Sequence, residues 1–471
     1  MKKLLLLLLL LVSLALLGLP PVFGRLTQSA VEERVASLGP RDPVEVKIDS
    51  YARGWFSSRV RLSVAARPAS SDLGGALPSA VRAAGIDTAR PTPVELRIDH
   101  GPVSLRDGLF FGFSRLSARP SAEAGAAASR ASAPPAFALD LRTDLDGDLH
   151  FAADIRALDD AGAETRLSLS GAHFAGSLEG RRLAATGRAD RVEYRGPRGA
   201  LSLAGVALET DGALLPELGL PERMHLDVAR ASLDLPAEEH AVDARGVSLR
   251  STLSLDDTAA LMDGQLDLTA DQIVAEDGTH VTGTRLQTAA SRLDLAALAE
   301  YSRTASRLAA RDADADRAAA LEPSLKRLLA AGPTLSVTPL AFDVDGQPFH
   351  AALDAAARPK AVARASLDAD DSRFWYRVLD GSIEIETAKS LAQSFAAAMI
   401  RRRAEEAAAS GKSVPFGNAD TADVQAGLML AVLATQGMLE DTGKDYKTTL
   451  RLENGAVTIN GKRLPLSFAF R

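Results

Sequence analysis

The sequence predicts an α+β protein that is mainly β. It consists of an N-terminal membrane helix followed by a long antiparallel β-meander or sandwich with two helical insertions. Three observations predict this. An uncharged run from Leu4 to Phe23 opens the chain. Period-two alternation of apolar and polar residues dominates from Val44 to Thr288. Period-3.6 stripes form two later blocks, near Leu293–Leu329 and near Ala388–Glu440. The resulting division is a signal-anchor or transmembrane helix over 1–24, a strand-rich region over 25–290, helices over 291–332, strands over 333–385, helices over 386–441 and a C-terminal meander over 442–471.

The N-terminal run follows Met1-Lys2-Lys3 and holds 20 residues without a charge. A helix of that length spans roughly 30 Å, one hydrocarbon core. The run is longer than the ~7–15 residues of a signal-peptide core, which favours an uncut anchor, residues 4–23, in the inner membrane. The alternative is cleavage near Gly24, leaving a soluble periplasmic chain. In both readings Lys2 and Lys3 stay cytoplasmic and the body after Arg25 is exported.

A short helix from Thr27 to Leu38 leaves the membrane with Ala30, Val31, Val35 and Leu38 on one stripe, and Pro40 and Pro43 stop it. Val44, Val46 and Ile48 then alternate with Glu45, Lys47 and Asp49, the mark of a half-buried strand. The heptapeptide at 43–49 returns at 93–99 with five of seven residues identical. Segments 70–91 and 117–135, rich in Ala, Ser, Gly and Pro, read as loops. From Phe137 to Thr288 short alternating strands are split by Gly and Asp, about one per 12–20 residues. The chain closes on a three-stranded meander with Asn454-Gly455 and Asn460-Gly461 turns, since Asn-Gly tolerates the positive φ of tight hairpins.

Composition excludes several chemistries. The chain has no cysteine, hence no disulfide, thiolate metal site or cysteine nucleophile. A formal charge of -7 argues against nucleic acid as a partner. No Gly-x-Ser-x-Gly elbow and no His-Glu-x-x-His pair occurs. Asp144-Leu-Asp-Gly-Asp148 lacks the glycine and glutamate spacing of a calcium loop and reads as a hairpin turn. Asp312, Asp314 and Asp316 read as a solvated helix face, and the seven histidines are scattered singly. No cofactor, metal site or catalytic residue is predicted.

Two short stretches stand out. Tyr51, Arg53, Gly54, Phe56, Ser57 and Ser58 lie in the segment 51–58 after the first strand, and His100-Gly101-Pro102 follows its echo. Read physically, the first is a strand-turn-strand corner in which Gly54 permits the bend and Trp55 and Phe56 close the core. The second is a strand ending in a turn, with His100 as a hydrogen-bonded turn residue. With the N-terminal run, these motifs resemble the YdgA-like family of bacterial envelope proteins. The segments Gly332-Pro333, Val337–Leu340 and Asn454–Leu464 extend the resemblance in the same order. It implies an inner-membrane anchor and a periplasmic body, and carries no activity and no catalytic residues.

The function expected is therefore a non-enzymatic envelope scaffold or lipid-handling assembly factor, with acyl chains on the apolar face of a sheet that is wet on its other side. Two alternatives stand beside it: a periplasmic hydrolase using His100, or a protein-interaction module whose helices form a partner or homo-oligomer surface.

Overall fold

The computed structural model describes residues 24–29, 31–33, 35–36, 44–66, 92–100, 103–104, 110–120, 137–144, 146–161, 166–196, 199–215, 220–235, 240–256, 258, 260–309, 317–364, 372–409 and 421–464. The expected membrane helix, Gly101, Pro102, segment 70–91, most of 117–135 and the last strand beyond Leu464 lie outside these residues. Among the described residues no helix is long and apolar enough to cross a membrane.

The protein is mainly β, and its chain divides into two compact units, one built on residues up to Ala241 and the other on residues from Val242. The first holds β1 (Val44–Arg53), β2 (Ser57–Ala66), β3 (Thr92–His100), β4 (Val103–Ser104), β5 (Phe110–Phe111), β6 (Ser114–Pro120), β7 (Phe137–Thr143), β8 (Leu149–Ala161), β9 (Arg166–Glu179), β10 (Arg182–Gly196), β11 (Gly199–Leu215) and β12 (Leu220–Leu235). Apart from the small β4–β5 pair, each strand is antiparallel to the next along the chain. This is a meander, not the sandwich that the same pattern also allows. The echoed heptapeptides form β1 and β3, which flank β2 on either side: Leu62 faces Ile48 on one and Val94 on the other. Both strands present the same apolar face to the same neighbour, which accounts for their likeness.

The second unit continues the pattern. Its strands are β13 (His240–Leu255), β14 (Leu261–Ala275), β15 (His280–Asp294), β16 (Thr334–Val344), β17 (Gln347–Ala357), β18 (Leu379–Ala388), β19 (Glu440–Asp441), β20 (Asp445–Glu453), β21 (Ala456–Ile459) and β22 (Lys462–Arg463). The order is again sequential, except that the short β19 lies beside β20 on the side away from β18. Asn454, Gly455, Asn460 and Gly461 all take positive φ, as tight hairpin turns require.

Strands β9 to β15 are longer than the alternation suggests, 14 to 17 residues each. Glycines that read as breaks are kinks inside these strands. Gly171, Gly205, Gly246 and Gly283 sit within β9, β11, β13 and β15, with φ of 58–60°. At Gly171 and Gly246 an aspartate of the adjacent strand, Asp190 or Asp271, occupies the space where a Cβ would stand. Kinks and bulges of this type bend a sheet without ending it.

An N-terminal helix, α1, includes residues 24–29, 31–33 and 35–36. The others are α2 (Leu295–Ala309), α3 (Arg317–Ala330), α4 (Pro359–Val362), α5 (Ser372–Val378), α6 (Lys389–Ala409) and α7 (Ala422–Thr435). Asp294 caps α2 by accepting the Ala297 amide at 2.8 Å. Leu329 of α3 packs with Val362, Phe374 and Val378. Ala396 and Ala397 of α6 pack with Ala422, Ala426 and Leu430 of α7. The first unit has its own core at Val60, Leu62 and Ile98, against which Val31 of α1 packs. Full burial of such a side chain stabilises by about 1.5–3 kcal/mol.

Candidate functional site

The distinctive residues meet at the β1–β2 corner and the end of β3. The corner closes on the Gly54 amide, which donates to the Ser57 carbonyl at 2.8 Å, while the His100 amide donates to the Phe56 carbonyl at 2.8 Å. Gly54 does not take positive φ. Its requirement is space, because a Cβ there would stand 2.7 Å from the Ser57 carbonyl oxygen. Gly54→Val is therefore expected to strain the corner and cost about 1–3 kcal/mol, measured as a lower urea midpoint. An unchanged midpoint would show that the corner opens freely.

Trp55 and Phe56 do not close the core: they are 57% and 50% exposed. The corner turns them outward, and inward positions fall to Ser58, Val60 and Leu62. Register explains the selection. Tyr51 faces Val60 and Arg53 faces Ser58 across β1–β2, while Ser58 faces Ile98 across β2–β3. His100, two residues beyond Ile98, shares that inward face.

His100 ends β3 as a hydrogen-bonded residue, and it is buried. It is 1% exposed, and its Nε2 lies 2.8 Å from Oγ of Ser58, itself 0% exposed. Its Nδ1 is buried without a hydrogen-bond partner among the described residues, as is the Tyr51 hydroxyl. Gly24, at the start of α1, lies against the ring: a Cβ there would be 3.2 Å from Cδ2 and Nε2. Arg53 donates from Nη1 to Gln28 Oε1 at 3.3 Å, tying the corner to the same helix. Burial holds the imidazole below its ordinary value of 6.5, Asp99 draws it upward, and Arg53 pushes it down further. Chemically this is a serine–histidine pair without a carboxylate on the second ring nitrogen. Ser57 is half-buried beside the pair on the opposite face.

The inward face continues beyond this corner. Successive cross-strand partners carry it through Leu116 and Leu141 to Phe151 and Gly176. Further along the same strands, Leu167, Tyr194, Leu201 and Leu233 form a separate apolar row across β9–β12. The row is open: Tyr194, Leu201 and Leu233 are 37%, 37% and 40% exposed. Nearer the corner Phe151 lies over Gly176 and Phe174 over Gly187, each ring occupying the space of the missing side chain.

The second unit holds concavities of about 480 and 220 Å³, at Asp354–Arg451 with a mixed, more apolar lining and at Gln265–Ser336 with a more polar one. Among the described residues no group of three or more His, Asp or Glu is placed to hold a metal ion. The outer face of α7 exposes Val424, Leu428 and Val432. The α2 helix instead buries Leu295, Ala297 and Ala299. No sequence signal marked Gly24 or Gln28, which belong to the site only through helix docking.

The profile of one bacterial family matches residues 1–467. The chain belongs to that family, the bacterial proteins of unknown function called DUF945. No curated protein and no solved structure matches it. Membership accounts for the chain as a whole, strands and helices together, and assigns no activity to the Ser58–His100 pair of this DUF945 chain.

Proposed function

We propose that this DUF945 chain is a non-enzymatic scaffold of the bacterial envelope that holds acyl chains on the open part of its apolar sheet face. In this reading residues 4–23 tether it to the inner membrane and the body lies in the periplasm. The closer kinship to the YdgA-like envelope proteins belongs to the same reading. One observation carries it: the row Leu167–Tyr194–Leu201–Leu233 is apolar, contiguous and left open. Soluble monomers rarely leave large contiguous apolar patches open unless something binds there. Four strands about 4.8 Å apart make the row about 14 Å long, room for part of an extended acyl chain.

The test is native mass spectrometry of the full chain purified in mild detergent, with extraction of retained lipid. Phospholipid or free acyl chains are expected at near-stoichiometric amounts. The double variant Leu201→Glu, Leu233→Glu is expected to lose most of them. Lipid-free parent protein that retains a protein partner would instead make it a protein-interaction scaffold.

The Ser58–His100 pair favours a second reading, a hydrolase. It has the contact between nucleophile and base, but among the described residues it has neither an orienting carboxylate nor access for a substrate. Covalent labelling of Ser58 by a fluorophosphonate in the folded chain would move the assignment to this reading.

A further inference from the structure

The Ser58–His100 pair lies where α1 meets the sheet, at the covered end of the apolar face. Backbone at Gly24 rests on the imidazole, Arg53 holds Gln28, and Val31 packs on the Val60–Leu62–Ile98 core. A neutral imidazole suits this seat. A charged one does not, because it would be buried under backbone with a single neutral hydroxyl as its partner.

The charged and polar groups around the ring, element by element, offer it little. From α1 come Gln28 and Glu32, and Gln28 Nε2 already donates to Glu32 at 2.8 Å. From β1 come Tyr51 and Arg53, the latter a like charge. From β2 comes Ser58. On β3 the neighbouring Asp99 faces the other way and accepts from Arg97 Nε at 3.2 Å. On β6 Ser114 stands opposite His100 and Arg115 opposite Asp99.

We propose that the Ser58–His100 pair is a proton-sensitive seat for α1, so that acidification releases the helix and uncovers the Val60–Leu62–Ile98 end of the apolar face. The inference stands apart from the lipid reading and concerns only where α1 rests. The sign follows from the depressed proton affinity of the docked imidazole. The released form binds a proton more readily, so docking is at full strength above about pH 6.5 and weakens as pH falls. The loss approaches tenfold per pH unit until the lowered docked value is passed.

The absence of native cysteine makes the test clean. Val31→Cys in the full chain supplies one thiol beneath α1. Its maleimide labelling rate is measured from pH 7.5 to 5.0 and divided by the rate of the urea-unfolded chain at each pH, which cancels thiol ionisation. The ratio is expected to rise at least tenfold on acidification, with a midpoint below 6.5, and to stay flat in Val31→Cys combined with His100→Gln. A flat ratio in the parent, or an equal rise in the His100→Gln chain, overturns the proposal. Circular dichroism checks the fold of the double variant, and His100→Asn replaces it if it fails. Should neither fold, the parent curve still decides, because a ratio that stays flat down to pH 5.0 overturns the proposal.

Discussion

Gly171→Val is expected to be among the most destabilising single substitutions in β9. The residue has φ of 58°, where a side chain on an L-residue costs roughly 1–2 kcal/mol, and a β-branched one more. The Asp190 carboxylate also lies where the new Cβ would go, so that side chain must be displaced. Overpacking of this kind adds about 1–3 kcal/mol. The two contributions separate experimentally. Adding Asp190→Ala removes the steric part and leaves the backbone part, so the double variant should recover some stability and not all of it. Urea melts of the single and double variants measure the difference. Full recovery would mean the kink is not strained, and no recovery would mean that Asp190 moves aside at no cost.

That glycine also shows what was legible in the sequence. Alternation at Val44–Ile48, Arg166–Ser170 and Gln265–Leu268 identified strands correctly because period two is a local property. Gly171 and Gly246 were read as breaks, since glycine ending a strand and glycine kinking it leave the same local trace. What distinguishes them is the aspartate across the ladder, which depends on register. The corner at 51–58 was legible as a corner, but the direction of Trp55 and Phe56 was not. Aromatic content suggested burial, and the pairing of Ser58 with Ile98 put the inward positions elsewhere. Ser58 and His100 were each singled out and never paired. The segment joining β2 to β3 is too long to fix register, and their contact spans 42 positions. The stripe through Val31 marked the docking face of the helix, but not the contacts of Gly24 and Gln28 with the corner.

Ile98→Ala and Leu201→Ala should part company, although both residues are large apolar side chains on strands of the same unit. Ile98 is 0% exposed among Val60, Leu62 and Leu116, with α1 above it. Truncation there removes buried methyls and leaves a cavity that the flanking strands cannot fill, at a cost of about 2–5 kcal/mol. Leu201 is 37% exposed with Tyr194 and Leu233 as its row neighbours. Much of its transfer energy is not realised in the folded chain, so truncation should cost only about 1 kcal/mol or less. If the open row holds acyl chains, Leu201→Ala should nevertheless lower retained lipid while leaving the melting transition nearly in place. Ile98→Ala should lower the transition and leave retained lipid, measured well below that transition, close to the parent. Apolar surface would then be structural at the Ile98 core under α1 and functional at the row that the described residues leave open. Equal stability losses at the two positions would mean that Leu201 is as well packed as Ile98, and the open row would lose its meaning as a binding surface.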